Sequence, residues 1–383
     1  MKDVKTILSQ LEKNFSKDKY KGMDLFDGLN SLIYKKIPFN HNRYLRLAWI
    51  QFFKKSPINL RKLFRVPSSR NPKGISLIMR GYLNLHKLDQ NNCFIEKVEE
   101  LANILLSIQS KRPYSCWGYD FLWEARAFSV PAYKPNMIVS SFVAQSFLDY
   151  YDLTEKTKWL QIGIDVGEFI KRELVIYEDD SKLCFGYIPS ETTRVHNANL
   201  MGARLFARLF FLTKNNDYFA LAKKSIKYSV KAQRDDGAWV YGENDHHQWV
   251  DNFHTGYNLD SLYDYQKFTG DDTFKQPMKK GLQYYLANHF NKILVPKAFD
   301  NRLYPIDIHN FSQGILTFDK FELFDKADQL VSMAIDRMYD RKKGYFYYQK
   351  HLLYTNTINY FRWSQGWMFY ALSSYLYKRE KGL

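Results

Sequence analysis

From residue 74 onward, apolar residues recur at i, i+3 and i+4 in segments that come in pairs. Helices of one kind are predicted to begin near Gly74, Ile138, His196, His254, His309 and Ile358, at intervals of roughly 50–65 residues, the length of two helices plus two loops. Helices of the other kind fall between them, at 156–174, 217–232, 273–290 and 320–339. Each helix carries one apolar stripe that must be covered. Six successive hairpins with almost no strand signal therefore predict an all-α chain closed into an (α/α)6 toroid, with one helix of each pair facing the axis. Residues 1–66 read as an N-terminal helical extension of short helices with basic faces, interrupted by a polar, glycine-containing loop, GMDLFDGLNS at 22–31. The stretch PSSRNPK at 67–73 is rich in turn formers, and the toroid domain is assigned to 67–383.

The repeats share more than length. Ser-Gln-Gly occurs at 312–314 and again at 364–366, one repeat later. Helices of the outer kind lead into aromatic–glycine turns at Cys116–Tyr119, Cys184–Tyr187, Gln233–Trp239 and Lys343–Phe346. The third resembles the Q-x-x-D-G-x-W turn of terpene-cyclase and prenyltransferase toroids. Glycine there ends the helix in a left-handed conformation and the aromatic packs back on the hairpin. The signature speaks for the toroid and not for terpene chemistry.

Aromatic residues make up 17% of the chain, with 29 Tyr, 29 Phe and 8 Trp. Sugar rings suit such walls, because their C–H faces stack on aromatics while their hydroxyls take polar partners. The net charge of +16 favours a polyanion. No arginine-rich arm and no nucleic-acid motif is present, so nucleic acid is excluded as the partner and an acidic oligo- or polysaccharide, or its lipid-linked precursor, is expected. The three cysteines, Cys93, Cys116 and Cys184, are far apart and show no C-x-x-C, which argues against a disulfide framework or a structural zinc and for a reducing compartment. No run of about 18 apolar residues occurs, and the N-terminus lacks a signal-peptide core. A cytoplasmic protein without cofactor is expected, for which peripheral membrane contact stays open.

The informative positions are the starts of the inner helices, which line one mouth of a toroid. Histidines stand there at what reads as one register: His196 with Asn197 and Asn199, His254 after Asp251 and Asn252, and His309 with Asp307 and Asn310. An aspartate beside a histidine holds one tautomer and raises its basicity, which suits acid–base work near neutral pH. A histidine trio is also a metal-ligand type, but each lies on a different hairpin and no metal is assigned. A second cluster, Trp117, Tyr119, Asp120, Glu124 and Arg126, is too polar for a core and too aromatic for an ordinary loop. A third is Glu243, Trp249 and, further on, Tyr257; His246 and His247 read as facing solvent. A fourth, Arg362, Trp363 and Trp367, offers a guanidinium for a carboxylate or sulfate. Proton transfer is assigned to Asp251, His254, Glu124 and Asp120, and substrate binding to the others.

These stretches, among them WGYDFLWEARAF, VHNANLMGARL, QRDDGAWVYGE, WVDNFHTGYNLDSL and RWSQGWMFYAL, together resemble an uncharacterised bacterial family associated with exopolysaccharide and capsule biosynthesis, and the likeness runs over nearly the whole chain. The resemblance implies the six-hairpin glycosidase-like barrel shared with sugar epimerases and terpenoid cyclases. Some members carry the name delta-aminolevulinic acid dehydratase, but that chemistry needs a β/α barrel with Schiff-base lysines and this pattern is all-helical.

Three functions are compatible with these features. The first is a glycoside hydrolase, lyase or epimerase acting on an acidic glycan by acid–base catalysis in the toroid cavity. The second is a non-catalytic glycan-binding or assembly subunit of a polysaccharide synthesis complex. The third is a terpenoid cyclase-like enzyme, against which the missing D-x-D-D motif argues.

Overall fold

The computed structural model describes residues 1–90, 92–124 and 129–382. Its helices are α1 (Lys2–Lys17), α2 (Arg43–Lys55), α3 (Pro72–Asp89), α4 (Asn92–Ser107), α5 (Met137–Thr154), α6 (Thr157–Glu173), α7 (His196–Thr213), α8 (Asn216–Lys231), α9 (Asn252–Thr269), α10 (Lys275–Asn288), α11 (Ile308–Lys320), α12 (Phe324–Met338) and α13 (Trp367–Lys381). The odd-numbered helices from α3 to α13 pack each on the next, and α13 returns to α3, so six inner helices close a ring. Helices α4, α6, α8, α10 and α12 cover them from outside. The predicted (α/α)6 toroid is the fold.

The outer position beside α13 is filled by α1, from the other end of the chain. The buried face of α1 carries Val4, Ile7, Leu8, Leu11 and Phe15, an i, i+3, i+4 stripe that needs a partner. Phe15 supplies the lock, meeting Phe361 and Phe369 edge-on at 5.8 and 5.4 Å.

The inner helices start where they do because of their caps. Asn71, Asn136, Asp251 and Asp307 each accept a backbone N–H of the first helical turn, which would otherwise lack a partner. Before α13 the chain makes a π-helical turn, Phe361–Gly366, which adds a residue to the turn and shifts the register of α13. In the Gln233–Trp239 turn, Gly237 has φ +98° and the buried Trp239 packs back on the hairpin, donating its indole N–H to Ser229 O at 2.8 Å, as the sequence predicts; the glycine does not end the helix, because α8 stops at Lys231 with Ala232 as its cap.

Among the described residues, strands are confined to four small antiparallel sheets: β1 (Trp123–Glu124) with β2 (Ser129–Val130), β3 (Val175–Glu178) with β4 (Leu183–Phe185), β6 (Tyr339–Asp340) with β7 (Tyr345–Phe346), and β8 (Gln349–Lys350) between β5 (Ile306–Asp307) and β9 (Thr355–Asn356). Among the described residues no helix is long and apolar enough to cross a membrane, and the three cysteines are free.

Candidate active site

Phe142 on α5, Tyr257 on α9 and Trp367 on α13 belong to alternate helices of the ring, yet their centroids lie 5.3–6.1 Å apart. Contact between alternate helices is possible only across the axis. These three rings therefore form a floor through the middle of the toroid and divide it into two mouths.

One turn above the floor, at the N-terminal mouth, stand the second residues of α3, α5, α7, α9 and α11, which are Lys73, Ile138, Asn197, Phe253 and His309, and, in the π-helical turn, Arg362. The His309 ring stacks on Phe253 at 4.6 Å and lies edge-on to Trp363 at 4.6 Å. Its Nε2 is 2.7 Å from the Tyr257 hydroxyl. Burial holds Tyr257 protonated well above the usual phenol range, so Tyr257 donates and His309 Nε2 accepts. Burial, reinforced by the charges of Lys73 and Arg362, pushes His309 well below the ordinary imidazole range. His309 is thus neutral, its proton sits on Nδ1, and that buried N–H has no protein acceptor among the described residues. Trp367 Nε1 is likewise a buried donor without a partner.

His254, on the third residue of α9, is set differently. Its Nδ1 lies 2.7 Å from Asp251 Oδ2, while its backbone N–H donates to Asp251 Oδ1 at 3.0 Å. Trp249 Nε1 donates to the same carboxylate at 3.0 Å. Burial raises the Asp251 carboxyl, but the charge and hydrogen bonds of His254 outweigh it and hold the group below its ordinary value. A permanent carboxylate fixes the Nδ1–H tautomer, leaves Nε2 as the basic nitrogen, and stabilises the imidazolium formed when Nε2 takes a proton. Both imidazoles touch the Phe253 ring, at 4.1 Å for His254 and 4.6 Å for His309.

Aromatic rings line the mouth. Tyr241 stacks on the partly exposed Trp249 at 4.7 Å and meets His254 at 4.8 Å. Trp363 faces Phe253 at 5.6 Å, Phe26 links Trp363 to Trp123, and Trp123 meets Tyr187 at 5.6 Å. Trp363 Nε1 donates to Asp307, whose carboxyl burial pushes up to about 6.

His196 does not join His254 and His309. Counted from the caps, His196, His309 and His254 occupy the first, second and third helical positions, and each step turns a side chain by about 100°. His196 therefore points some 200° away from the direction of His254, onto Ser229 of the outer helix α8 at 3.2 Å. Asn199 faces the same way, bonding Ser225 O and Ser229 at 2.9 Å. Asn252 likewise faces α10, through His289 O and the Tyr285 hydroxyl. The expectation of one shared register for the three histidines is corrected on this count.

The second cluster is dispersed. Trp117 lies in the core, stacked on Phe147, with its N–H on Leu105 O. Asp120 accepts from Ser69 and Asn71, and burial pushes it up to about 6 against the Ser69 hydrogen bond, with the negative Asp24 adding to the rise. Glu124 is buried against Arg43 and Arg46 of α2 and accepts from Ser129. Arg126 lies outside the described residues. Tyr119 sits under the guanidinium of Arg362 at 5.0 Å. Glu243 stays near the surface, paired with Arg194 and Tyr228. Asn310 donates to Lys297 O, while its Oδ1 and that of Asn197 are buried without partners among the described residues. His247 is buried, so the solvent-facing reading holds for exposed His246 and not for its neighbour.

Arg362 is not an open anion receptor. Its Nε and Nη2 clasp Asp24 Oδ2 and Oδ1 at 2.7 and 2.8 Å, a fully buried bidentate pair. Asp24 belongs to the 22–31 loop, which Arg61 braces from behind through Asp27 at 2.7 Å and Asp24 O. The loop stands out in the sequence as unusual, but no local signal assigns it to the mouth.

Lys73 escapes a reading of the sequence as well. Its Nζ stands over Phe142, Trp367 and Tyr257 at 4.1, 5.2 and 5.4 Å, with no hydrogen-bond partner among the described residues. Burial and the nearby Arg362 charge hold the amine well below the ordinary lysine range. Its place in PSSRNPK reads as linker, which hides it.

No protein-family model matches the chain, and no curated protein sequence is similar to it. Solved structures share its fold. A cellobiose 2-epimerase from Bacillus thermoamylovorans superposes with TM-score 0.64 at 10% identity, over 82% of this chain and 90% of that one. An α-mannanase of glycoside hydrolase family 76 from Bacteroides thetaiotaomicron gives 0.63 at 13%, over 83% and 89%. An unsaturated glucuronyl hydrolase specific for heparin gives 0.58 at 11%, over 83% and 89%. At such identities the likeness establishes the six-hairpin toroid alone.

Proposed function

We propose that this chain is a carbohydrate-processing enzyme that moves a proton on a sugar, in the manner of an epimerase or isomerase. The observation that carries the reading is the pair of differently set imidazoles, His254 on Asp251 and His309 on Tyr257, in one aromatic-lined mouth. Burial holds His309 neutral, whereas His254 stands against the Asp251 carboxylate, so the two imidazoles are set for different roles. In an open-chain aldose, His254 Nε2 takes the proton from the carbon next to the carbonyl. The electron pair moves onto the carbonyl oxygen, where the unpartnered N–H groups of His309 and Trp367 offer hydrogen bonds. Return of a proton from solvent to the opposite face of that carbon gives the epimer; protonation of the former carbonyl carbon instead, with the proton of the neighbouring hydroxyl passing to the former carbonyl oxygen, gives the ketose. Trp249, Tyr241, Phe253 and Trp363 supply stacking surfaces for the sugar.

Hydrolysis fits less well. It requires two available carboxyl groups across the sugar, and Glu124 and Asp120 are engaged with Arg43, Arg46, Ser69 and Asn71. We assign those two carboxyls a bracing role. The names of the neighbours, which include epimerases, a D-mannose isomerase and glycoside hydrolases, support a carbohydrate-processing enzyme and do not choose between these classes. From the sequence resemblance we infer a place in polysaccharide metabolism. The charge of +16 favours an acidic sugar, whereas Arg362, already paired, adds nothing to that preference.

The test is incubation with neutral and uronic mono- and disaccharides in D2O, with NMR as the readout. Deuterium at the carbon beside the carbonyl, lost in His254→Gln, is expected. New reducing ends without deuterium would identify a hydrolase. Sugar binding without either change would identify a glycan-binding subunit.

A further inference from the structure

Between Asp27 and Asp89 the chain has no acidic residue, and 13 of its 56 lysines and arginines fall in that interval. The remaining 43 nearly balance the 40 acidic residues, so the surplus charge of the protein is concentrated in one stretch. Within 32–65, Lys35, Lys36, Arg43, Lys55, Lys62 and Arg65 are exposed.

The same stretch holds the most exposed apolar side chains. Among the described residues, six large hydrophobics are at least two-thirds accessible: Phe39, Tyr44, Ile58, Leu63, Leu352 and Leu353. The first four lie in 32–65. The last two form the tip between β8 and β9, and that hairpin is tied to the end of α2 by Asn356 Nδ2 on Ser56 O at 3.1 Å. Scattered exposed hydrophobics are ordinary. Concentration of the most exposed ones on the acid-free segment and on the hairpin tied to it is not. The segment also adjoins the candidate active site: Arg43 and Arg46 hold Glu124, and Lys54 stands over Phe26 at 5.4 Å.

We propose that residues 32–65 and the 351–354 tip form a docking surface for an anionic membrane leaflet. Apolar side chains entering the interface and lysines and arginines drawn to acidic headgroups act together in peripheral binding. Charge complementarity selects this occupant: a second copy of the chain would set like charges against each other, and a neutral surface would leave the cations without counterpart. Docking would bring the mouth with His254 and His309 toward the membrane surface, where a lipid-linked glycan is presented. The docking itself does not rest on the catalytic reading, because its test measures binding only.

Sedimentation with vesicles tests it. The protein is expected to pellet with phosphatidylcholine vesicles containing about one-third phosphatidylglycerol, to stay in solution with phosphatidylcholine alone, and to be released by salt as surface attraction is screened. Lys35→Glu with Lys62→Glu is expected to weaken binding at least about ten-fold, at roughly five-fold or more per basic residue. Leu352→Asp with Leu353→Asp is expected to weaken it while circular dichroism and melting stay unchanged. Lys279→Glu with Lys280→Glu, an equal charge change on exposed residues of α10, is the control and is expected to have little effect. The proposal is overturned if the protein ignores anionic vesicles, or if the α10 control weakens binding as much. It is equally overturned if a soluble acidic polysaccharide is bound through these residues while vesicles are not.

Discussion

The exchange of a single atom at Asp251 separates its two roles. As an N-cap it satisfies a backbone N–H, which asparagine also does, so Asp251→Asn should keep the melting temperature within a few degrees while Asp251→Ala costs about 1 kcal/mol or more. Asparagine carries no charge to support a protonated His254, so deuterium exchange into the sugar should fall roughly 100-fold or more in both variants. Full exchange by Asp251→Asn would remove the dyad from the mechanism. Asp120 gives a prediction in pH. Its folded-state value of about 6 lies above the ordinary aspartate value of 3.8, so the folded protein holds this proton more tightly than the unfolded chain. The resulting stability is present at acidic pH and is lost as pH rises from about 4 through 6. Asp120→Asn stays neutral throughout, so relative to the parent it should gain about 2–3 kcal/mol over that window. Denaturant unfolding of both proteins at pH 4.5 and 7.5 measures the difference. A constant difference would mean that Asp120 titrates normally.

At the scale of elements, two pieces of the N-terminal segment hold the toroid together. Helix α1 covers the seam at α13, and Phe15, 4% exposed, fills the gap between Phe361 and Phe369. Phe15→Ala should cost about 3–5 kcal/mol, read from urea unfolding. A loss under 1 kcal/mol would show that the seam does not depend on α1. The 22–31 loop is held by the buried Asp24–Arg362 pair, and removing one partner leaves the other charged and unpaired. Arg362→Met alone should cost about 3–5 kcal/mol, and adding Asp24→Leu should restore much of it. Additive losses in the double variant would show that the two residues act separately.

For the molecule as a whole, ring closure puts the two chain ends side by side. Lys5 on α1 pairs with Glu380 on α13 at 2.6 Å. A circular permutant that joins the ends through a short flexible linker and opens the exposed α7–α8 turn at Asn215 should keep its helical circular dichroism and a single cooperative transition. A molten, non-cooperative product would mean that the connectivity, and not the packing of the ring, secures the fold.

The helical repeat belongs to the sequence alone. Apolar stripes are local signals, and they place the starts of α3, α5, α7, α9 and α11 within about two residues. Asp251 and His254 are legible for the same reason, because a cap and its third helical residue meet within one turn. Register across repeats is not. A histidine one or two positions further from its cap turns by about 100° or 200°, which sends His196 outward to Ser229 while His309 faces the axis. Asp24 lies 338 residues from Arg362, and Lys73 meets rings from three different helices. Such contacts come into being only when the ring closes and the chain's beginning folds over its end, so tertiary structure alone decided which groups share the mouth.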